Sequence, residues 1–130
     1  MSENTKADIL HLTQRLLDSI VQADWAAYED LCDPTLSCFE PEARGHLVEG
    51  MAFHRHYFDM GPRSAPCNTT IASPHIRLLG EDVALISYIR LIQHRDESGC
   101  ARTASFEETR VWQKQQGQWK HVHFHRSANA

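Results

Sequence analysis

The chain has 130 residues and a formal net charge of −4 with its histidines neutral. This length fits one domain, residues 1–130, with a single hydrophobic core. The acidic balance excludes a global basic field that would attract nucleic acid or anionic lipid. No apolar run is long enough to span a membrane. We therefore expect a soluble cytoplasmic protein with no nucleic-acid or membrane partner.

The cysteine pattern indicates reduced thiols. The chain contains Cys32, Cys38, Cys67 and Cys100, none of them in a CxxC pair and none following a signal peptide. Such cysteines are typical of a reducing compartment. We expect them to be inert, and we expect no cofactor.

The N-terminal half has helical periodicity. Ile9, Leu12, Leu16 and Ile20 recur at helical spacing and predict a long amphipathic helix over about residues 2–22. Asp24 has the character of an N-cap for a second helix over 25–32. An extended segment over 35–40, a turn over 41–45, a third helix over 50–59 and a loop over 61–66 follow.

From residue 67 onward the period changes to two. The predicted strands are 67–79, 82–94, 101–114 and 118–127, separated by short turns as in an antiparallel meander. Helices followed by strands predict an α+β fold with the N-terminal helices packed on one face of a curved antiparallel sheet.

The strand over 82–94 is apolar on both faces. Its second face carries Val83, Leu85, Ile89 and Leu91. A strand of this kind is covered on both sides. The helices cover one side, and we expect a second copy of the chain to cover the other, which makes the protein a homo-oligomer.

Three arginines lie on successive predicted strands, each flanked by apolar residues: Arg90, Arg110 and Arg126. One arginine among apolar neighbours can extend to water, but three converging inside one sheet need an anion, a carboxylate or a wet cavity. The pattern therefore predicts a pocket that binds something negative.

The arginines share a face only in one register of the last hairpin. A three-residue loop over 115–117 would place Arg110 opposite Val122 and Phe106 opposite Arg126. A two-residue turn over 116–117 would put Arg110 and Arg126 on opposite faces. The sequence permits both, and the glycine at the end of the loop favours the first.

Ordered motifs along the chain resemble a known family. They include Cys32-Asp33-Pro34, Phe39-Glu40-Pro41-Glu42-Ala43, Leu47-Val48-Glu49-Gly50, Phe53-His54-Arg55, Glu107-Glu108-Thr109-Arg110-Val111-Trp112 and His123-Phe124-His125-Arg126-Ser127. Over nearly its whole length the chain is similar to the association (hub) domain of calcium/calmodulin-dependent protein kinase type II. The resemblance implies the cone-shaped nuclear transport factor two-like fold and self-assembly through the open sheet face into dimers that stack into rings. It also implies a cavity where His54, Arg90, Arg110 and Arg126 bind small carboxylates.

The chain also departs from that family. It carries no kinase domain and no calmodulin-binding segment, and a stand-alone version of the domain suggests a bacterial protein. His94-Arg95-Asp96 matches a kinase triplet, but Ala101 stands where the catalytic Asn is expected. The loop between Asp59 and Cys67 is shorter than in the family and lacks its Trp. His121 replaces an apolar residue on what we expect to be the outer face, which leaves the ring size open.

Internal ion pairs are the alternative explanation of the arginines. Glu108 shares a face with Arg110, and Glu40 and Glu107 are also available. Three arginines against one carboxylate on the same face would still leave positive charge for a ligand. We expect the ligand-binding set to be His54, Arg90, Arg110, Arg126, Glu108 and Tyr88.

His121, His123 and His125 alternate along the last strand. Their i, i+2 spacing suits metal ligation, but no Cys or Asp nearby completes a set. We expect them on the face opposite the arginines, in interface and hydrogen-bonding roles, and we expect no metal.

Two functions compete. The first is a non-catalytic oligomerisation module whose arginine-lined pocket binds a small carboxylate. The second is a small enzyme of the same fold, an isomerase, cyclase or dehydratase, with Glu108, Tyr88 or His54 as its acid or base. The arginines favour the first, because they would depress the pKa of a nearby carboxyl group and weaken it as a base.

Overall fold

The computed structural model describes residues 2–62 and 67–128. Its elements in chain order are the helices and strands α1 (Ser2–Gln22), α2 (Trp25–Leu31), β1 (Cys32–Phe39), a 3-10 helix (Pro41–Ala43), β2 (Val48–Glu49), α3 (Ala52–Asp59), β3 (Cys67–Leu78), β4 (Val83–Arg95), β5 (Ala101–Gln115) and β6 (Gln118–Ala128). Each predicted helix and strand is present, with its ends displaced by no more than three residues. Part of the predicted loop over 61–66 lies outside the described residues.

The helix ends follow the capping signals. Asp24 caps α2, accepting a hydrogen bond from the Ala27 N–H at 3.2 Å. Helix α2 ends at Leu31, one residue before the predicted end, because Cys32 already has extended backbone and starts β1. Asp33 then accepts from the Thr35 N–H at 2.7 Å, which fixes the chain across Pro34.

The sheet has six strands in the order β2-β1-β6-β5-β4-β3. Strands β3 to β6 form the predicted antiparallel meander. Strand β1 pairs with β6 in parallel, so the sheet is mixed and not purely antiparallel. The chain between β1 and β6 contains the 3-10 helix, α3 and the first three strands of the meander. The two strands are therefore not joined by a hairpin turn, and they can run in the same direction.

The core lies between α1 and the inner face of the sheet. Ile9, Leu16 and Leu17 of α1 are fully buried, as is Trp112 of β5. The Trp112 indole N–H donates to the Thr13 hydroxyl at 3.2 Å and satisfies both groups inside the core. Helix α1 is the longest of the described helices, and neither it nor any other described helix has the length and apolarity needed to cross a bilayer.

The last hairpin combines a two-residue turn with a β-bulge. Gln115 pairs with Gln118 across Gln116 and Gly117, both of which have positive φ, as in the type I′ turn. The predicted three-residue loop is therefore wrong. The register then shifts between the Trp112–His121 and Val111–His123 pairs.

A two-residue turn alone would place Arg126 on the face opposite Arg110. The extra residue at the bulge, Val122, returns the following residues of β6 to the other alternation, so that Arg126 lies on the same face as Arg110. Beyond it Arg110 pairs with Phe124 and Glu108 with Arg126. Arg110 and Arg126 consequently share the inner face, as predicted, although neither predicted register is the one observed.

Candidate functional site

A cavity of about 350 Å³ opens between the helices and the inner face of the sheet. Its apolar wall comes from α1, α2, α3 and the sheet. The acidic, histidine and arginine side chains in its lining are Glu40, Glu42, His54, Arg90, Arg110 and Arg126. Four of the six predicted ligand-binding residues, His54 and the three arginines, thus line one cavity. Tyr88 and Glu108 lie behind the arginines, outside this lining.

Glu108 and Tyr88 anchor two of the arginines. The Tyr88 hydroxyl donates to Glu108 Oε1 at 2.5 Å, and Arg110 donates to Glu108 Oε1 at 3.0 Å and to the Tyr88 hydroxyl at 2.9 Å. Arg90 donates to Glu108 Oε2 at 3.4 Å and to the Thr69 hydroxyl at 3.2 Å. The expected Glu108–Arg110 ion pair is present, and Glu108 holds Arg90 as well.

The network keeps Glu108 ionised. Burial alone would raise the pKa of this carboxyl group, but Arg110 and Arg90 outweigh burial and lower the pKa below its ordinary value. Burial also lowers the pKa of Arg90, against the opposing effect of Glu108. Glu108 is thus a permanent counter-ion that fixes two guanidinium groups in the cavity wall.

Arg126 has its own carboxylate partners. It donates a short hydrogen bond to Glu42 and lies 3.7 Å from Glu40, with its guanidinium 5.0 Å from the centre of the Phe106 ring. The 3-10 helix brings both glutamates against β6. Among the described residues, Glu40, Glu42 and Glu108 therefore balance the three arginines. The expectation of surplus positive charge against a single carboxylate is wrong.

The partners of Arg126 differ in exposure. The Glu42 side chain is 40% exposed, whereas those of Glu40 and Arg126 are 11% and 12% exposed. Burial raises the pKa of Glu40 despite the opposing charge of Arg126. Of the two carboxylates, that of Glu42 therefore separates from Arg126 at the lower free-energy cost, because it is the more exposed to water.

His54 of α3 is a buried, neutral side chain. Its ring lies 5.7–5.9 Å from the rings of Tyr28, Phe53 and Phe124. Burial, with the positive charge of Arg110, lowers the pKa of His54 to about 4. At neutral pH its ring nitrogens therefore offer one donor and one acceptor to the cavity.

The bulge moves His121 away from its predicted position. We expected it on the outer face, but it is fully buried on the inner face, where the Arg110 guanidinium donates to Nε2 at 3.3 Å. A guanidinium accepts no hydrogen bond, so the ring proton lies on Nδ1, 3.5 Å from the Cys32 sulfur. Because Val122 is an extra residue between them, the side chains of His121 and His123 lie on opposite faces of the sheet. His123 and His125 remain on the opposite face, as predicted.

Three potential metal ligands also lie close together, and two of them, Glu40 and His54, line the cavity. The ligand atoms of Cys38, Glu40 and His54 lie within 4.8 Å of one another. Cys38 is one of the thiols expected to be inert, and burial raises its pKa to about 12. The i, i+2 spacing of Cys38 in β1 and Glu40 just after it was visible in the sequence, but their proximity to His54 depends on how α3 packs over the strand.

Sequence reasoning missed Glu42 as a site residue. The segment Glu40-Pro41-Glu42 offered a signal, because Pro41 favours the start of a short helix, which leaves Glu40 as its N-cap and Glu42 in its first turn. Their common partner Arg126 lies 84 residues from Glu42, however, and no local pattern connects them.

The chain matches known proteins in sequence. A family model described as the calcium/calmodulin dependent protein kinase II association domain matches residues 5–130. The chain is 49% identical over 126 residues to the type II subunit delta of this kinase from Oryctolagus cuniculus, covering 95% of the chain and 24% of the relative. It therefore spans about a quarter of the length of the curated relatives it matches.

Solved structures agree with this match. The association domain of the kinase from C. elegans superimposes with a TM-score of 0.92 at 47% identity, covering 97% of each chain. The hub homology domain from Chlamydomonas reinhardtii gives 0.91 at 46% identity, covering 97% of this chain and 99% of that one. A nuclear transport factor 2-like protein from Salmonella enterica, 22% identical with a TM-score of 0.80 over all of this chain and 94% of its own, shows the fold alone. The fold and the family expected from the sequence are both confirmed, and the chain belongs to the calcium/calmodulin-dependent protein kinase II association domain family.

Proposed function

We propose that this chain is a non-catalytic association module that pairs with a second copy of itself through the open face of its sheet. The supporting observation is the half-buried apolar surface that Leu85, Ile89 and Val111 form on the side away from α1. The described helices leave this surface uncovered. Packing an apolar sheet face of this kind against another removes both from water and stabilises the assembled state.

The open face also carries polar groups that are already paired within the chain. The Ser87 and Thr109 hydroxyls lie 2.9 Å apart, and the Ser37 hydroxyl lies 2.7 Å from His123 Nδ1. Burying a polar group that already has an internal hydrogen-bond partner costs less free energy than burying an unpaired one. These internal pairs therefore lower the free-energy cost of covering the face with a second subunit.

Sedimentation velocity tests the assembly. The wild-type chain should sediment as a species larger than its 14.9 kDa. Ile89→Glu places a charge at the centre of the open face and should shift the protein to smaller species. Leu10→Glu, on the exposed side of α1, is the matched control and should leave the assembly intact. A monomeric wild type, or equal behaviour of both variants, would contradict the proposal.

We further propose that the cavity binds a small carboxylate, with Arg90 and Arg126 as its principal donors. A guanidinium has five N–H groups and can hold a carboxylate with two parallel hydrogen bonds. Among the described residues, Thr69 and Glu108 engage two of those of Arg90, and the exposed Glu42 is the closest partner of Arg126. Donor capacity therefore remains, even though the formal charges balance.

Calorimetric titration with malonate tests this second proposal. Arg126→Ala should abolish binding while the far-ultraviolet circular dichroism spectrum is retained. Arg55→Ala removes an exposed arginine whose only ion pair among the described residues is to Asp59 on the same helix, and it should bind malonate as the wild type does. Unchanged binding in Arg126→Ala would refute the assignment.

The enzyme hypothesis has less support. A general base works best when its pKa is near the working pH. The pKa of Glu108 is lowered and that of His54 is about 4, so neither group suits that role. The match covers only the association domain, and kinase activity forms no part of the proposal.

A further inference from the structure

Cys38, Glu40 and His54 form a compact group beside the arginines, in which Glu40 and His54 line the cavity and Cys38 is fully buried next to them. Cys38 and Glu40 are two residues apart where β1 ends, so they project from the same side of the strand. Helix α3 places His54 over them, with its Nε2 at 3.7 Å from the Cys38 sulfur. A thiol, a carboxylate and an imidazole therefore meet at one point.

The separations match those of ligands that share one small metal ion. Two ligands at Zn–S of about 2.3 Å and Zn–N of about 2.0 Å, arranged tetrahedrally, are roughly 3.5 Å apart. The observed sulfur–nitrogen distance of 3.7 Å is close to this value. The widest separation in the group is at most 4.8 Å, which Glu40 can shorten by rotating its side chain.

The donor types indicate which ion would bind. Thiolate and imidazole favour zinc over magnesium or calcium, which take oxygen ligands. We propose that Cys38, Glu40 and His54 bind a zinc ion, with the fourth coordination position open to the cavity. The zinc ion, the Cys38 thiolate and the Glu40 carboxylate together carry no net charge, so binding raises the net charge beside the arginines by one unit relative to the metal-free site, where Glu40 alone is ionised.

The surroundings of the group fit this role. The aromatic rings of Tyr28, Phe53 and Phe124 pack around His54 and restrain its orientation. When Glu40 turns toward the ion, Arg126 retains Glu42 as its partner. Binding forms a zinc–sulfur bond and releases the thiol proton of Cys38 to solvent. The proposal rests neither on the assembly nor on carboxylate binding.

Cobalt substitution tests the site directly. The untagged, full-length chain is freed of metal with a chelator, titrated with Co²⁺, and then competed with Zn²⁺. We expect one equivalent of metal per chain and a sulfur-to-cobalt charge-transfer band in the near ultraviolet. Because even outer-shell substitutions cost roughly tenfold to a hundredfold in metal affinity, Cys38→Ala should lose the band and weaken zinc binding by at least about tenfold.

Three controls make the result specific. Cys67→Ala removes a thiol that lines the cavity and should retain the band. His125→Gln removes a histidine from the opposite face and should not alter zinc affinity. Arg90→Ala should retain zinc even where malonate binding is lost, which separates failure of this proposal from failure of the carboxylate pocket.

The possible results support or overturn the proposal without ambiguity. If Cys38→Ala does not fold, Glu40→Gln and His54→Gln take its place, and each should weaken zinc binding by at least about tenfold. The proposal is overturned if cobalt gives no sulfur band in the wild type. It is also overturned if the band disappears in Cys67→Ala, or if the ligand variants bind zinc as tightly as the wild type.

Discussion

Tyr88 and Glu108 are direct cross-strand neighbours on β4 and β5, and the Tyr88 hydroxyl donates a 2.5 Å hydrogen bond to the Glu108 carboxylate. The same carboxylate accepts hydrogen bonds from Arg110 at 3.0 Å and from Arg90 at 3.4 Å. One buried glutamate thus fixes two guanidinium groups and a phenol. The arrangement makes Glu108 a structural requirement of the cavity wall, whatever the cavity binds.

The first prediction concerns this charge. Glu108→Gln leaves two buried guanidinium groups without a counter-ion, and breaking a buried pair in this way costs about 3–5 kcal/mol. Urea denaturation at fixed protein concentration should show a loss of unfolding free energy of that order. Glu97→Gln, at an exposed position in the turn between β4 and β5, is the matched control and should change stability little. Equal stability of the two variants would show that Glu108 is not the anchor.

The sequence predicted the common face of the arginines but not the reason for it. Strand periodicity places Arg90 beside Tyr88 and Arg110 beside Glu108, because alternation within a strand is local. Placing Arg126 with them requires the register of β6, which depends on a bulge at Val122. No glycine marks that position, and β6 must satisfy β1 and β5 together. The same bulge turned His121 inward, against the prediction.

The hairpin turn supplies the second prediction. Gln116 has φ of 53°, a left-handed conformation that Asn tolerates better than most side chains. Gln116→Asn creates the Asn-Gly pair preferred in type I′ turns and should stabilise the chain by about 0.5 kcal/mol. Thermal unfolding measures the gain. Gln118→Asn, in the adjacent strand, controls for the side-chain change and should give no increase. A decrease in melting temperature for Gln116→Asn would contradict the assigned turn.

The balance of charge in the cavity could not be predicted from the sequence for a different reason. The contacts of Arg126 with Glu40 and Glu42 join the two halves of the chain, and they exist only because β1 lies parallel to β6. Local periodicity carries no information about which distant strand pairs with which. The helices, the meander and the cavity arginines follow from patterns a few residues long, whereas the long-range carboxylate partners do not.

The third prediction follows from the exposure of Glu42, and it rests on the proposed carboxylate site. Glu42→Gln removes the partner that competes with a ligand for Arg126. An ion pair of this exposure contributes up to about 1 kcal/mol, so malonate affinity should rise by up to about fivefold. Calorimetry compares it with Glu49→Gln, an exposed position on β2 outside the cavity lining, which should leave affinity unchanged. Weaker binding in Glu42→Gln would show that Glu42 contributes to the ligand site.

The fourth prediction concerns His121 and pH. Burial, with the charge of Arg110, lowers the pKa of His121 well below its usual value, so the folded chain keeps this ring neutral while the unfolded chain protonates it near pH 6.5. Below that pH the unfolded state binds more protons, and the stability of the fold therefore falls as the pH falls.

His121→Gln retains an acceptor for Arg110 but does not titrate. Between pH 7 and pH 5 the wild type should lose up to about 2 kcal/mol more unfolding free energy than this variant, because one proton per chain is linked to unfolding. Urea titrations at both pH values and at one protein concentration measure the difference. His11→Gln, on the exposed side of α1, reports the effect of removing a surface histidine. Parallel pH profiles for the wild type and His121→Gln would place the His121 ring in water, against its position beside Arg110 and Cys32.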